Sequence, residues 1–339
     1  MRQMRLPFTL HAEGALHGAI QSHNIWWKWD SLMAFIRGFG SWLPERRVGN
    51  AELAAALECA PEWILEMSGI AERRYAGDAE KVASIGARAA QSCLANAGVA
   101  AGEVGLLLVA SGSSERFCPG PAGEIALKLG MGATPAIDIP VASAGSLIGL
   151  AMAAELAAKF GRVLVVGSEI MSRRILLAPE GRNTAILFGD GAGACLVDRE
   201  IGGLKIVDSL IATDGASAEI LAMENELLRM EGPSVILQAA RKLPGVVKDL
   251  LSRNSIAADQ VEGFLLHQAN LNLITRVATS LKVPAERFYT NIQRYGNTSS
   301  ASMLIAADEW SKAHQVDGPI VFSAFGAGIN WGAVLALPV

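Results

Sequence analysis

Long uninterrupted hydrophobic runs are missing from this 339-residue sequence, although 51% of its residues are hydrophobic. The longest apolar stretch covers 144–154 and ends at Glu155. It falls short of the roughly 20 residues that a membrane-spanning helix needs. The N-terminus also lacks the continuous apolar segment and the cleavage pattern of a signal peptide. We therefore expect no membrane span and a cytoplasmic location.

Clusters of basic residues are equally scarce, and the formal net charge is −4. No run of five or more lysines and arginines is present, so the sequence does not indicate a nucleic-acid partner. The four cysteines lie far apart and form no Cys-x-x-Cys pair, which argues against a disulfide framework or a metal site. We expect their side chains to be buried among hydrophobic residues.

What the sequence does contain is an alternation of strand-like and helix-like segments. Residues 104–111 and 161–170 are continuous apolar runs of strand length, rich in branched side chains. Such runs are typical of strands that are buried on both faces of a sheet. Alanine-rich helical windows lie at 81–97 and 144–159. This alternation predicts a layered α/β fold.

An internal repeat divides the chain into two similar parts. The segment 93–113 resembles 250–270 at an offset of 157 residues, and the strand-like segments 163–168 and 320–325 keep that offset. The corner-and-helix segment 142–156 pairs with 296–310 at an offset of 154. Two copies of one α/β unit are therefore predicted, at 35–200 and 201–339, with a cleft at their pseudo-twofold interface.

The repeat brings three polar residues to one predicted cleft. The offset of 154 pairs Ser143 with Asn297 at matching corners of the two halves. His267 follows a buried strand of the second half. Because ligand chemistry in open α/β sheets gathers where strands end and helices begin, we expect these three residues to converge.

The first 34 residues form an N-terminal extension (1–34) with a different composition. They contain the aromatic stretch HNIWWKWDSL and three of the five histidines. Two interpretations remain open: a misassigned start with a poorly ordered tail, or an amphipathic arm that contacts a partner chain or a membrane surface.

Several motifs, in the right order over about residues 35–339, resemble the β-ketoacyl-[acyl-carrier-protein] synthase III family. They are PEWILEMSGIAERRY at 61–75, FGDGAGA at 188–194, HQAN at 267–270, YGNTSSAS at 295–302 and AFGAGINWG at 324–332. The resemblance implies a thiolase-like fold with five αβαβα layers, built from two pseudo-twofold-related halves. It also implies a homodimer. The run GDGAGA at 189–194 precedes a strand, so we expect a tight bend at a helix–sheet contact there rather than a dinucleotide-binding loop.

The resemblance also assigns roles to the three polar residues. Ser143 stands where the family normally has a cysteine that forms an acyl-thioester. His267 and Asn297 match the pair that helps to decarboxylate a malonyl-thioester, in which two hydrogen-bond donors stabilise an enolate oxygen. For Ser143 three interpretations stay open: a nucleophile that forms an acyl-oxyester, a small residue in a site that only binds, and a laboratory Cys-to-Ser change. A serine hydroxyl needs a base within reach, since a helix N-terminus alone does not ionise it.

A second group of residues is expected around the acyl group and its carrier. The backbone N–H groups of Ser143 and of the loop Gly326, Ala327 and Gly328 are candidate donors to the acyl carbonyl, and Phe325 is expected to line the acyl pocket. By resemblance, Trp63 and Arg182 would sandwich the CoA adenine, and Asn270 would contact pantetheine. Arginines common in the family are replaced by Met67 and Asn272, and the second of these is a carrier-docking charge in the family.

The sequence thus predicts an acyltransferase without a resident cofactor or metal, acting on acyl-CoA or acyl-carrier-protein substrates. The leading hypothesis is an acyl group loaded on Ser143 and condensed with a malonyl-thioester, in fatty acid or polyketide-type biosynthesis. The alternatives are acyl transfer to an alcohol or amine without condensation, and a non-acylating partner subunit that forms a heterodimer with an active paralogue.

Overall fold

The computed structural model describes residues 34–339, so the predicted N-terminal extension lies outside the described residues up to position 33. The strands are β1 (Phe35–Trp42), β2 (Arg46–Gly49), β3 (Glu72–Tyr75), β4 (Leu106–Ala110), β5 (Ala136–Ile139), β6 (Arg162–Ile170), β7 (Asp190–Asp198), β8 (Leu204–Thr213), β9 (Leu221–Glu224), β10 (Leu227–Met230), β11 (Gly263–Leu266), β12 (Ile320–Gly326) and β13 (Asn330–Pro338). The helices are α1 (Asn50–Leu57), α2 (Pro61–Ser68), α3 (Val82–Ala97), α4 (Ala122–Leu129), α5 (Gly145–Phe160), α6 (Arg182–Ala185), α7 (Gly232–Arg253), α8 (Leu271–Leu281), α9 (Ile292–Tyr295) and α10 (Ser302–Ala313). None of the helices within 34–339 is long and apolar enough to cross a bilayer.

Two half-sheets with the same pattern of strand directions form the centre of the fold. The N-terminal half-sheet has the order β5-β4-β6-β7-β1, and the C-terminal half-sheet has the order β11-β12-β13-β8. In each, a parallel pair (β4 with β6, β11 with β12) is followed by antiparallel neighbours. A parallel bridge between Phe264 and Phe288 stands where β5 lies in the other half. Short pairing of β1 with β8 joins the halves into one nine-stranded mixed sheet.

Helices cover both half-sheets and complete five layers. In β4, Leu107 and Val109 pack in the cluster that contains α3 and α4, whereas Leu106 and Leu108 pack in the cluster that contains α5 and α10. Alternate side chains of one apolar strand therefore supply two cores, as strand geometry requires. The helices α7 and α8 pack on the outer face of the C-terminal half-sheet. The predicted αβαβα thiolase-like architecture is confirmed.

The repeat is real, but one of its offsets is wrong. The helices α5 and α10 begin at Gly145 and Ser302, which gives 157 residues, the same offset as the strands. Ser143 therefore corresponds to Ser300 by helix start rather than to Asn297. The 3₁₀ turn Ser299–Ala301 before α10 also stands 157 residues after the turn at 142–144 before α5, so the offset of 154 came from similarity of letters alone.

The glycine-rich run at 189–194 is not a tight bend, although the helix–sheet contact expected there is present. Its residues from Asp190 onward belong to β7, a strand that is buried along its whole length. A Cβ atom on Gly193 would lie 2.6 Å from the Cβ of Leu304 in α10. The glycines therefore allow the helix to approach the sheet closely, which a pattern of local turn residues does not reveal.

The cysteine prediction holds for two of the four residues. Cys93 and Cys195 are buried and unpaired, and burial raises the pKa of both thiols. Cys59 is only partly buried, and Cys118 is exposed. The expectation of burial is thus wrong for Cys118, which lies in a surface turn next to the exposed Phe117.

Candidate active site

A cavity of about 610 Å³ opens between the N-terminal half, the β9–β10 hairpin and α7. It collects seven of the residues that the sequence singled out: Ser143, His267, Asn270, Asn297, Phe325, Trp63 and Met67. Its wall between these points is apolar and comprises Met171, Ile186, Phe188, Leu221, Leu228, Ile236 and Leu243, among others. The cavity can therefore enclose a long, flexible, largely apolar ligand that ends at Ser143.

Ser143 lies at a strained corner between β5 and α5. Its φ is +66°, a left-handed conformation that non-glycine residues rarely adopt. The corner turns tightly, since the N–H groups of Val141 and Ala144 each donate to the carbonyl two residues earlier, at 2.8 Å. The hydroxyl group is thereby presented at the positive end of α5, and the side chain is 8% exposed.

The loop after β12 presses against this corner. A Cβ atom on Gly326 would lie 2.2 Å from the carbonyl oxygen of Ala142 and 2.5 Å from the nitrogen of Ala144. The N–H of Ala327 donates to that same carbonyl of Ala142 at 3.2 Å. The positive φ of this loop falls on Gly328, at +120°, so Ala327 does not have to adopt it. None of these three residues lines the cavity as Phe325 does.

Gly326→Ala is expected to lower the free energy of unfolding by about 1–3 kcal/mol, because the added methyl group meets backbone atoms that cannot move away independently. Gly123→Ala is the matched control: no atom lies within 4 Å of its added Cβ on the exposed side of α4. Urea denaturation of both variants measures the difference. An equal change in the two would contradict the close packing of the loop on the Ser143 corner.

His267 follows directly on β11 and is buried at the cavity floor. The backbone N–H of His267 donates to the carbonyl of Ser323 at 2.8 Å, which continues the pairing of β11 with β12. Burial lowers the pKa of the imidazole to about 4, and a hydrogen bond with the backbone of Ser299 offsets part of that effect. The ring is therefore neutral at neutral pH.

The hydroxyl of Ser302 lies beside one nitrogen of the His267 ring and supports one of its two neutral forms. Ser302 Oγ accepts the N–H of Gln268 at 3.0 Å and lies 2.6 Å from His267 Nδ1. Its own hydrogen is thus free to be donated to Nδ1. We assign the remaining imidazole hydrogen to Nε2 from this network. In this form His267 is a hydrogen-bond donor through Nε2 rather than a base.

The depressed pKa of His267 also predicts a pH-dependent stability. Between pH 6.5, the ordinary pKa, and pH 4, the unfolded chain binds a proton at this imidazole and the folded chain does not. The stability that the neutral imidazole contributes to the folded state is present above pH 6.5 and is lost as the pH falls through 4. Urea denaturation across this range is expected to show the wild type losing stability relative to His267→Gln, which has no titrating group there. Parallel pH curves for the two proteins would contradict it.

Asn297 lies opposite His267 and has its carbonyl end already engaged. Its Oδ1 accepts the N–H of Ser299 at 2.8 Å. Its Nδ2 contacts the carbonyl of Ala269 at a long 3.5 Å, which leaves amide hydrogen available for a ligand in the cavity. Backbone pairing with Phe188 fixes the residue between the two halves. The amide therefore presents its donor end.

The corner that follows Asn297 is the direct neighbour of Ser143. Ser143 N–H donates to Ser299 Oγ at 2.9 Å, and the two hydroxyl oxygens lie 3.4 Å apart. Ser299 also has a positive φ, at +47°, and is fully buried. In the observed arrangement the N–H groups of Ser143 and Ala327, both expected as donors to an acyl carbonyl, thus have acceptors within the protein.

The buried carboxylate of Glu169 connects the corner before α10 to the N-terminal half-sheet. Glu169, in β6, accepts hydrogen bonds from the backbone of Gly112, from the hydroxyls of Ser111 and Ser113, and from the backbone of Ser300. A buried carboxylate with four donors is well compensated. The carboxylate fixes the position of the corner containing Ser299 and Ser300 relative to the N-terminal half-sheet.

We call the end of the cavity at Trp63 and the half-exposed Met67 its mouth, and CoA is expected to bind there. The guanidinium of Arg182 lies 5.8 Å from the ring centre of Trp63. A planar base between two stacking partners at ~3.5 Å each needs about 7 Å, so the pair has to open by about 1 Å to admit one. Arg182 itself does not line the cavity. The expected adenine sandwich stays a prediction.

Asn270 lines the cavity and also caps α8. Its Oδ1 accepts the N–H groups of Asn272 and Leu273, and its Nδ2 donates to the carbonyl of Met67. Both ends of the amide are therefore occupied by the protein, and its contact with pantetheine stays a prediction. Met67 is half exposed at this mouth, and the side chain of Asn272 bonds the end of α2.

Three residues of the site escaped the sequence reasoning: Glu169, Ser299 and Ser302. Both serines stand inside the quoted motif at 295–302, but a serine near a helix start is ordinarily read as a turn or a cap. Glu169 was hidden inside a strand-like apolar run. A charged residue within such a run is itself a signal, since an isolated carboxylate is not buried without partners.

Comparison with known proteins agrees with this geometry. Residues 137–215 match the family described as 3-oxoacyl-[acyl-carrier-protein (ACP)] synthase III, and residues 251–337 match its C-terminal region. The beta-ketoacyl-[acyl-carrier-protein] synthase III of Oleidesulfovibrio alaskensis is 38% identical over 325 residues, which cover 89% of this chain and 98% of that protein. The protein of the same name from Pectobacterium atrosepticum is 38% identical over 315 residues, with 88% and 98% covered.

Solved structures give the same picture. The 3-oxoacyl-[acyl-carrier-protein] synthase III of Aquifex aeolicus VF5 superimposes with a TM-score of 0.86 at 32% identity, over 90% of this chain and 99% of that one. The priming beta-ketosynthase of the R1128 polyketide pathway superimposes with a TM-score of 0.83 at 30% identity, over 90% and 96%. Similarity therefore extends over the whole of these proteins.

Proposed function

Because this chain belongs to the 3-oxoacyl-[acyl-carrier-protein] synthase III family, and is thus an acyltransferase, we propose that it loads an acyl group on Ser143 and condenses it with a malonyl-thioester. The observation that carries this proposal is the convergence of Ser143, His267 and Asn297 on the floor of one largely apolar cavity. We further propose that Ser143 occupies the position of the family's nucleophilic cysteine.

The first step is transfer of the acyl group from a CoA or carrier-protein thioester. Ser143 Oγ forms a bond to the thioester carbonyl carbon, the carbon–sulfur bond breaks, and the hydroxyl proton ends on the departing thiolate. The proposed donors to the carbonyl oxygen are the N–H of Ser143 and the N–H groups of the loop 326–328. On substrate binding they have to exchange their present acceptors, Ser299 Oγ and the Ala142 carbonyl, for that oxygen.

The second step generates the carbanion. The malonyl-thioester loses CO₂, and the electron pair of the broken carbon–carbon bond moves onto the thioester as an enolate. His267 Nε2–H and Asn297 Nδ2–H are the proposed donors to the enolate oxygen, in keeping with a neutral imidazole. The carbanion then attacks the acyl-ester carbon, Ser143 departs and is reprotonated, and a 3-oxoacyl-thioester is released.

The substrates proposed at the mouth are CoA or acyl-carrier-protein thioesters, bound through Trp63, Arg182 and Asn270. The proposed chemistry needs no resident cofactor, and its setting is fatty acid or polyketide-type biosynthesis. We propose a homodimer as the working form.

The test combines an acyl-CoA or acyl-carrier-protein donor with malonyl-CoA and follows CO₂ and thioester products. Condensation gives equal amounts of CO₂ and 3-oxoacyl-thioester. Acyl transfer to an added alcohol or amine without CO₂ would favour the second interpretation. That reaction needs a base, which His267 with its hydrogen on Nε2 does not supply. Neither product, with light scattering showing no homodimer, would favour a partner subunit.

A further inference from the structure

We propose that Ser299 is a catalytic residue whose hydroxyl donates a hydrogen bond to the oxygen of Ser143 as that oxygen becomes the nucleophile. This inference rests on the proposed function, because it assigns a donor to the reacting atom of the acylation step. The observation behind it is the contact between two serine hydroxyls that come from different halves of the fold, with oxygens 3.4 Å apart.

The hydrogen-bond pattern gives the direction of this contact. Ser299 Oγ already accepts the N–H of Ser143 at 2.9 Å, and Ser299 is fully buried. Among residues 34–339, the acceptor that the structure provides for its hydroxyl hydrogen is Ser143 Oγ. Both serines line the cavity, but Ser143 is 8% exposed and can point its own hydrogen there, whereas Ser299 is fully buried. Since buried donors are nearly always satisfied, Ser299 is the donor of the pair.

The backbone aims this hydroxyl at the reacting atom. Ser299 and Ser143 both adopt positive φ values, at corners that precede the equivalent helices α10 and α5. Strain of this kind persists only where surrounding contacts enforce it. Asn297 Oδ1 and Glu169 hold the N–H groups of Ser299 and Ser300, so the corner is fixed from both sides.

The chemistry explains what the contact supplies. During acylation the Ser143 O–H bond lengthens while the new oxygen–carbon bond forms, and negative charge builds up on Ser143 Oγ. A hydrogen bond from a hydroxyl group to such an oxygen shortens to about 2.5–2.7 Å between the two oxygens and becomes stronger. Catalytic hydrogen bonds are often long before substrate binds, as 3.4 Å is here. Ser299 keeps its own proton throughout, and the Ser143 proton leaves with the thiol.

The first experiment measures the acylation rate of Ser143 by intact mass spectrometry after mixing with acyl-CoA. Ser299→Ala is expected to slow acylation about 10- to 100-fold. Ser299→Cys retains a weak donor and is expected to be intermediate. The control is Ser146→Ala, which removes a fully buried hydroxyl that has no hydrogen-bond partner among the described residues. Acylation at the wild-type rate in Ser299→Ala, or faster acylation because the Ser143 N–H is released, would overturn the proposal.

A second experiment does not depend on acyl transfer. In Ser143→Cys, the rate of alkylation by iodoacetamide across pH reports the pKa of the introduced thiol. Adding Ser299→Ala is expected to move the midpoint of this curve upward by about 1 pH unit, whereas adding Ser146→Ala leaves it in place. An unmoved midpoint in the Ser299→Ala background would refute the donor role. Absence of any acyl adduct on the wild type, together with a moved midpoint, would refute the proposed function alone.

Discussion

The Ser143→Ala variant is expected to form no acyl adduct with any acyl-CoA or acyl-carrier-protein donor, and condensation should fall at least about 10³-fold. The oxygen removed is the atom to which the acyl group is proposed to bind. The neighbouring Ser299 also lines the cavity but is fully buried, so we do not expect its hydroxyl to be acylated instead. Intact mass spectrometry after incubation with each donor measures the adduct directly.

The control for this experiment lies on α5, the helix that follows Ser143. Ser146 is fully buried, and its hydroxyl has no hydrogen-bond partner. Ser146→Ala removes an equivalent oxygen three residues away and should retain the full adduct. Ser143→Cys provides the reverse test, since a thiol is the stronger nucleophile and should still be acylated. An adduct that persists in Ser143→Ala would show that another residue is the nucleophile.

His267→Ala and Asn297→Ala are each expected to slow malonyl-CoA decarboxylation about 10²- to 10³-fold, while the acyl adduct on Ser143 still forms. Each variant removes one donor to the proposed enolate oxygen but leaves the Ser143 corner intact. Release of CO₂ from malonyl-CoA, measured separately from acylation, tests this division of labour. Because His267 is proposed to act as a donor, His267→Gln should retain part of the activity.

His314→Gln is the matched control for the histidine. Its ring stacks on Trp310 and bonds the carbonyl of that residue, outside the cavity. Decarboxylation should be unchanged in this variant. If His267→Ala instead abolished the adduct and left decarboxylation intact, His267 would be acting as the base for Ser143, and the assignment of its hydrogen to Nε2 would be wrong.

Much of the architecture could be predicted from local sequence. The strand-like runs at 104–111 and 161–170 became β4 and β6, and the alanine-rich windows became α3 and α5. These segments carry their signal in their own side chains, because an apolar strand is buried wherever it pairs. The glycines of β7 carry no such local signal. They are needed because α10, more than a hundred residues later in the chain, packs closely against this strand.

The site was predictable in its main residues but not in their supports. The family resemblance locates Ser143, His267 and Asn297. The hydrogen bonds that orient them come from residues that the spacing of the motifs does not point to. Ser302 orients His267, Asn297 orients Ser299, and Glu169 holds the corner from the other half. The three-residue error in pairing Ser143 with Asn297 has another origin: similarity of letters suggested a shift, whereas the turns and helices keep the offset of 157 residues.

The contacts between the two corners have a consequence for how the protein folds. The bond from Ser143 to Ser299 spans 156 residues, and that from Glu169 to Ser300 spans 131. Contacts so distant along the chain pay a large loop-closure entropy and form late. The proposed reacting centre takes Ser143 from one half and His267 and Asn297 from the other. Neither half contains it alone.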